Sequence, residues 1–564
     1  MKLKEIINWL TICALYLTVL LIVAYWSDSY TEYALKGQLI RVIPYFLKIN
    51  FFLLVVSLAL NCKTLKDLLA GLGIKKGILL VVVVLAGFAM SMFLAPRTHR
   101  IFYDETIYMN VGQNIAFLDK AGMCNDGYFD HKKYACSEME FNKQPYAYPF
   151  LVGLVFKVFG TSETAGFVLN NVIYALSVFI AFMIGYLLFG NFYPAFFSSV
   201  IFALIPDNLM WSNATSAELS ASCFIGLAIC SALLFVRNKD LKSLFLFSVI
   251  VPFSVQFRME SMLVVPLVIF AIALEDRKAF TKKSLYLFGA LAFALVVAHL
   301  VHIYAVRGDS WGSSGPRMDF SYLKNNLRTN TFYYIDNRMF PRFYTVLAFL
   351  GLFFRKDLLK GRAFLAVWFL CLWGIYMFFY AGSYGYGADV RYSLMSFMPL
   401  SLLAGLGLYR AGTLFEHKKA RIVCGTLAAA VAVWSFIHFI PAIRIIGEEA
   451  CQARADHFYV QKMAAMLPDN SIVLTHNPNM FLLLGKNAAQ AGAAYYDFRK
   501  MKSYYDRYKG GVYFHFNFWC NVDDPVQKSF CASMLDKYSH TKIAAWRDRS
   551  YDFILYKLEQ SALQ

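Results

Sequence analysis

Residues 97–116, RTHRIFYDETIYMNVGQNIA, set two carboxylates, Asp104 and Glu105, side by side directly after a long apolar run. Two uses fit such a placement. Asp104 opens a run in which Ile107, Val111, Ile115 and Leu118 recur at helical spacing, so it would serve as an N-cap accepting backbone N–H groups. As a general base, it would instead take the proton from an attacking hydroxyl. Capping leaves Glu105, Tyr103 and Tyr108 unexplained. The helix is predicted to lie on a membrane surface by its single apolar face.

Cations that would hold an anionic partner are few. Lys143 stands in FNKQPYAYPF, where a snorkelling interfacial lysine is the plain alternative. Arg258 stands in QFRMES, between two short apolar runs whose far ends carry basic residues, which places it with Glu260 near the outer face of a helical hairpin. A charge at such depth is a functional candidate, with structural pairing to another helix as the rival. Arg258 and Glu260 are two apart, and such residues do not face each other on a helix, so no mutual pair is predicted. Arg391 is a third candidate, with Asp389 nearby as a local partner. The segment 306–342 carries Arg307, Arg317, Lys324, Arg328, Arg338 and Arg342 against Asp309, Asp319 and Asp336, an excess that an anionic ligand or ordinary headgroup pairing would explain. Glu218 follows Thr215 at capping-box spacing and is read as structural.

These residues belong to a membrane protein. The chain of 564 residues is 59% hydrophobic and 16% charged, where soluble domains run near ~45–50% and ~25%. A net charge of +18 comes without a nucleic-acid motif, so no nucleic-acid partner is expected. About thirteen spans are predicted, at 8–26, 39–60, 78–95, 167–189, 191–206, 217–236, 243–257, 261–274, 285–305, 343–355, 363–381, 394–410 and 422–440, several of them shorter than a straight crossing needs. The first lacks a small-residue cleavage site before Asp28 and reads as a retained anchor. Basic loops set the orientation. With the N-terminus cytoplasmic, Lys63, Lys66, Lys75, Lys76, Arg237, Lys239, Lys242, Arg277, Lys278 and Arg410 all lie inside, and Asp104, Glu105 and the tail lie outside.

The predicted architecture is therefore a polytopic α-helical membrane domain over 1–440 followed by an exterior α/β domain over 441–564. In the tail, 471–476, 510–516, KIAAW and DFILYKL read as strands, and 453–466 and 525–538 as helices. Cys124 and Cys136, and Cys520 and Cys531, bracket short exterior segments and are read as two disulfides, leaving Cys451 over. Zinc is the rival, but CxxC spacing is absent and His131 is its one nearby support.

The order of Asp104-Glu105, then Lys143-Gln144-Pro145, then Arg391-Tyr392 before a late span resembles the GT-C glycosyltransferases that use polyprenyl-phosphate sugars. These include protein O-mannosyltransferases and aminoarabinose transferases. The likeness covers roughly 96 to 410, and it is the order of the motifs that is specific. Two spans precede the expected first one, and Gln144 replaces the usual proline. The oligosaccharyltransferase branch is disfavoured, because its Trp-Trp-Asp-type signature is missing from the tail. The resemblance implies a plasma-membrane (inner-membrane) enzyme with a periplasmic or otherwise exterior tail. It would move a sugar from a polyprenyl-phosphate donor to a hydroxyl of a lipid, glycan or protein acceptor, with inversion. Asp104 would be the base, and Glu105 would orient it or bind the acceptor. Lys143, Arg258 and Arg391 would hold the lipid phosphate. No cofactor is implied, and a divalent metal is left open.

The competing classes are a secondary transporter, a lipid-carrier flippase and a non-catalytic glycan-binding relative. Transporters keep ionisable residues near mid-membrane and show repeated halves. Here the charges crowd at the exterior surface and no repeat is found.

Overall fold

The computed structural model describes residues 3–101, 103–309, 315–337, 339–353, 358–385, 387–413, 418–453 and 455–559. Two compact units are present. The membrane unit comprises Met1–Arg97, Lys143–Tyr148 and Phe167–Gly447, and the sheet unit comprises Thr98–Asn142, Pro149–Gly166 and Glu448–Gln564. The segment 98–142 and the tail from Glu448 thus lie in one unit.

Where described, each apolar segment predicted to span is mostly helical in the membrane unit. Among the described residues, eight helices are long and apolar enough to cross a membrane, or up to ten if each of two bent pairs is one span. The pair Phe192–Ala203 and Pro206–Ser212 bends by 61°. Its second helix opens on Pro206, which has no N–H to continue the first. Three predicted spans are helices too short for the role: Leu241–Ser254, Val264–Glu275 and Arg342–Phe353. At 1.5 Å per residue they reach about 18–21 Å, below the ~30 Å hydrocarbon core.

The sheet unit is built on seven strands, β1 (Gly122–Asp130), β2 (Lys133–Phe141), β3 (Ser471–Thr475), β4 (Asn487–Gln490), β5 (Gly511–Phe516), β6 (His540–Asp548) and β7 (Tyr551–Leu558), in the order β2-β1-β4-β3-β5-β7-β6. The central β4, β3 and β5 are parallel, and the remaining pairs are antiparallel. Alternation along β3 sends Val473 into a core with Val460, Met463, Phe481 and Leu555, while Ile472 and Leu474 enter another with Met501, Tyr504 and Met534. Helices therefore cover both faces.

The strands β3, β5, β6 and β7 and the helices Ala455–Met466 and Pro525–Lys537 fall where the sequence places them. The hairpin β1–β2 and the strand β4 were not anticipated. The segment NAAQ of β4 lacks β-branched and aromatic residues. The hairpin turns on His131 and Lys132, both at positive φ, without the Asn-Gly that usually announces such a turn. Disulfides join Cys124 to Cys136 and Cys520 to Cys531. The His131 side chain is exposed at its turn, and the side chain of Cys451 lies outside the described residues.

The helix Asp104–Leu118 is where predicted, but it does not present one apolar face to a membrane. Tyr108, Asn110, Val111, Gln113, Asn114 and Ile115 are all buried. The Asn110 side-chain oxygen accepts from the Cys124 N–H (2.9 Å), Asn114 donates to the Gly122 carbonyl (2.7 Å), and the Tyr134 hydroxyl donates to Asn114 (2.7 Å). The asparagines of its polar side are bonded to the hairpin.

On another side, the helix meets residues 149–153 through two glycines. A Cβ at Gly112 would lie 2.9 Å from the Pro149 oxygen, and one at Gly153 would lie 2.8 Å from the Gly112 oxygen. Backbone cannot approach backbone this closely past a methyl group. Gly153→Ala is expected to lower stability by about 1–3 kcal/mol through forced backbone displacement. Thermal unfolding of the detergent-solubilised protein checks this, and an unchanged transition would refute the close crossing.

Candidate active site

In the sheet unit, the acidic pair is divided by its surroundings. Glu105 is fully buried. Its Oε1 accepts the N–H groups of Arg100 (2.5 Å) and Ile101 (2.9 Å), and its Oε2 lies 2.9 Å from His99 Nδ1. Burial opposes ionisation of this carboxyl, yet the His99 charge and the donated hydrogen bonds outweigh it and hold the group down to about 2. Burial likewise opposes the His99 cation, and Glu105 overrides it, raising the imidazole to about 10. Asp104 is half-buried.

Asp104 is not the N-cap. The cap position is Tyr103, and Asp104 is the first helical residue. Tyr103 has φ 64°, a conformation that non-glycine residues seldom adopt, and it persists only where its surroundings over-determine it. Those surroundings are visible. The Tyr103 hydroxyl donates to Asp456 Oδ2 (2.8 Å), the Thr106 hydroxyl donates to the Tyr103 carbonyl (2.9 Å), and Asn477, just past β3, donates to Thr106 Oγ1 (3.1 Å). Asp456 is buried and accepts the Phe518 N–H at 3.0 Å. Burial pushes its carboxyl up to about 7 against those bonds. The strained turn before Asp104 is thus held near the carboxyl ends of the parallel strands β3 and β5, where open α/β sheets place their sites.

In the membrane unit, the organising group is Glu218, which the sequence reading had set aside as a cap. Its helix begins at Ala217 behind Ser216, with no side-chain cap bond. Glu218 is fully buried, and its Oε1 pairs with Arg258 Nη1 and with Arg391 Nε at 3.0 Å. Arg258 Nε also pairs with Glu260, to which the Tyr376 hydroxyl donates. The expectation that Arg258 and Glu260 would not meet fails because Arg258 is extended (φ −149°, ψ 157°) ahead of a short 3₁₀ turn, not on a regular helix. The Tyr376 and Tyr392 rings stack at 4.7 Å, with the two guanidinium groups 5.4 and 5.1 Å from the Tyr392 ring.

Two of the three predicted phosphate ligands, Arg258 and Arg391, are therefore brought together. The third, Lys143, has an exposed side chain. Its segment joins that of Arg258 through the Ala147 N–H, which donates to the Gln256 carbonyl (3.0 Å), and its own carbonyl lies 3.1 Å from His302 Nε2. Asp389 lies outside the residues whose side chains are described, as does Arg338. Of the segment 306–342, Arg307 packs 3.4 Å from the Tyr304 ring centre, and Asp309 pairs with Lys36.

Residues 143–302 match the family described as dolichyl-phosphate-mannose-protein mannosyltransferase. The fold is similar to ArnT from Cupriavidus metallidurans, crystallised with undecaprenyl phosphate, at TM-score 0.55 and 12% identity over 85% of this chain and 97% of that one. It is also similar to the Archaeoglobus fulgidus oligosaccharyltransferase in its apo form, at TM-score 0.52 and 10% identity over 86% and 74%. No curated protein matches the chain in sequence. The family match covers 143–302, and the likeness to both solved structures is one of fold, that of a multi-pass membrane protein.

Glu218→Gln removes a negative charge from between two buried guanidinium groups. Breaking a buried pair from one side costs about 3–5 kcal/mol. Thermal unfolding in detergent should fall accordingly, and a variant as stable as the parent would show that the arginines are balanced elsewhere.

Proposed function

We propose that this chain transfers a sugar from a polyprenyl-phosphate donor to a hydroxyl of a lipid, glycan or protein acceptor, by direct displacement with inversion. The reaction would run on the exterior face of the plasma membrane, with the N-terminus cytoplasmic and the sheet unit outside, as the basic loops suggest. The carrier is supported by the likeness to ArnT, whose structure holds undecaprenyl phosphate.

The observation that carries the reading is the division of the acidic pair. A carboxylate held near 2 and saturated by donors is a poor proton acceptor at neutral pH, and this describes Glu105. Asp104, beside it and half-buried, is left for that task. In the proposed step, Asp104 takes the acceptor hydroxyl's proton as that oxygen bonds to the anomeric carbon. The bond from that carbon to the phosphate oxygen breaks, and lipid phosphate departs with the electron pair. Lys143, Arg258 and Arg391 stabilise the charge gained by the phosphate without requiring a metal.

The test incubates purified protein with a panel of lipid-phosphate sugars and measures free lipid phosphate. Asp104→Asn is expected to remain folded, to bind the carrier and to lose transfer by roughly a hundredfold or more. Near-parental transfer by this variant would remove Asp104 from the chemistry, and no release with any donor would overturn the reaction class.

A further inference from the structure

The sheet unit contains a second constellation that sugar transfer does not use. The side chains of His99, Glu163 and His457 converge, and all are at least four-fifths buried, with exposures of 5%, 15% and 14%. Glu163 Oε1 lies 3.0 Å from His457 Nε2 and 3.8 Å from His99 Nε2, and the three atoms fall within 4.8 Å of one another. The two imidazole rings stand 4.2 Å apart at 70°. A tetrahedral zinc ion with bonds of about 2.0–2.1 Å holds its ligand atoms roughly 3.3 Å apart. The observed spacings straddle that value.

The groups behind these atoms are those that metal ligands need. His99 turns its other nitrogen, Nδ1, to Glu105 Oε2 at 2.9 Å. A carboxylate accepting that N–H orients the ring and turns Nε2 toward Glu163, the arrangement of a metal-bound histidine. The second oxygen of Glu163 accepts from the Gln461 amide (3.1 Å), which steers Oε1 toward the histidines. The same amide lies 3.3 Å from His457 Nε2, the nitrogen that faces Glu163. Without an ion, a proton on His99 bridges this cluster; a divalent ion would displace it, leaving three electron-pair donors around one point. Two carboxylates, Glu105 and Glu163, with the two imidazoles then neutral match the charge of a divalent ion.

We propose that His99, Glu163 and His457 bind a divalent cation of the zinc class, with Glu105 and Gln461 as outer partners. Two imidazoles and one carboxylate suit zinc and leave one position for water or another ligand. The ion ties together three separate segments: the turn that leads into Asp104, the start of the helix Glu163–Phe189, and the helix Ala455–Met466. It would hold the approach to Asp104 in place, and its role is positioning.

The test uses full-length protein in detergent without a polyhistidine tag. The protein is equilibrated with zinc chloride and desalted, its metal content is measured by mass spectrometry, and affinity is measured against a chromophoric chelator. About one zinc per chain is expected, together with a zinc-dependent rise in unfolding temperature. His457→Ala and Glu163→Gln should each weaken binding at least tenfold, and Glu105→Gln by about 10–100-fold. His457→Gln provides a milder variant should His457→Ala fail to fold. Folded parent protein that retains no zinc overturns the proposal, as does undiminished affinity in both ligand variants. Binding lost only with His476→Ala would also overturn it, because His476 lies with Cys520 and Cys531 in another cluster.

Discussion

The arrangement around Asp104 depends on one inward-turned carboxylate. Residues 99–101 pass through the interior, and two of their backbone N–H groups would otherwise be buried without acceptors, at about 1–3 kcal/mol each. Glu105 supplies the acceptor for both and takes His99 as well. With Glu105 committed inward, its neighbour is rotated about 100° around the helix axis and faces elsewhere. The left-handed conformation of Tyr103 follows from closing the turn this tightly, and the contact of its hydroxyl with Asp456 keeps it closed. Adjacent residues of the same type thereby acquire different tasks.

The membrane unit repeats the principle with guanidinium groups in place of the imidazole and backbone donors. Glu218 is a buried carboxylate around which two guanidinium groups are arranged, and Glu260 and Tyr376 complete the set. Removing charges from water is costly unless each is paired and hydrogen-bonded, so such residues are positioned by one another as much as by their helices. Arg258 and Arg391 are accordingly each held by ion pairs, which suits the phosphate-binding role proposed for them.

Much of this was legible in the sequence, for physical reasons. Apolar runs announce helices, and the described residues of the predicted spans are mostly helical; what hydropathy could not supply was length, because Leu241–Ser254 and its like are too short to cross alone. The order of Asp104-Glu105, Lys143 and Arg391-Tyr392 was legible as a pattern, and the family match at 143–302 takes in Lys143 of that order. Glu218 was misread because local spacing explained it well enough, whereas its partner Arg258 is 40 residues away. The helix after Tyr103 was misread as a surface element from its single apolar face, although its two asparagines bond to the hairpin β1–β2. That hairpin was itself hidden, since a turn at His131 and Lys132 carries no local signal. Tertiary pairing decided each of these cases.

The central claim is that a single carboxylate, Asp104, directs one displacement at the anomeric carbon, with no sugar ever bound covalently to the protein. Stereochemistry tests it most directly. A donor of defined anomeric configuration is supplied, and the configuration of the glycosylated product is read by nuclear magnetic resonance before any equilibration. Direct displacement gives inversion. Retention would require two successive displacements and would contradict the role assigned to Asp104.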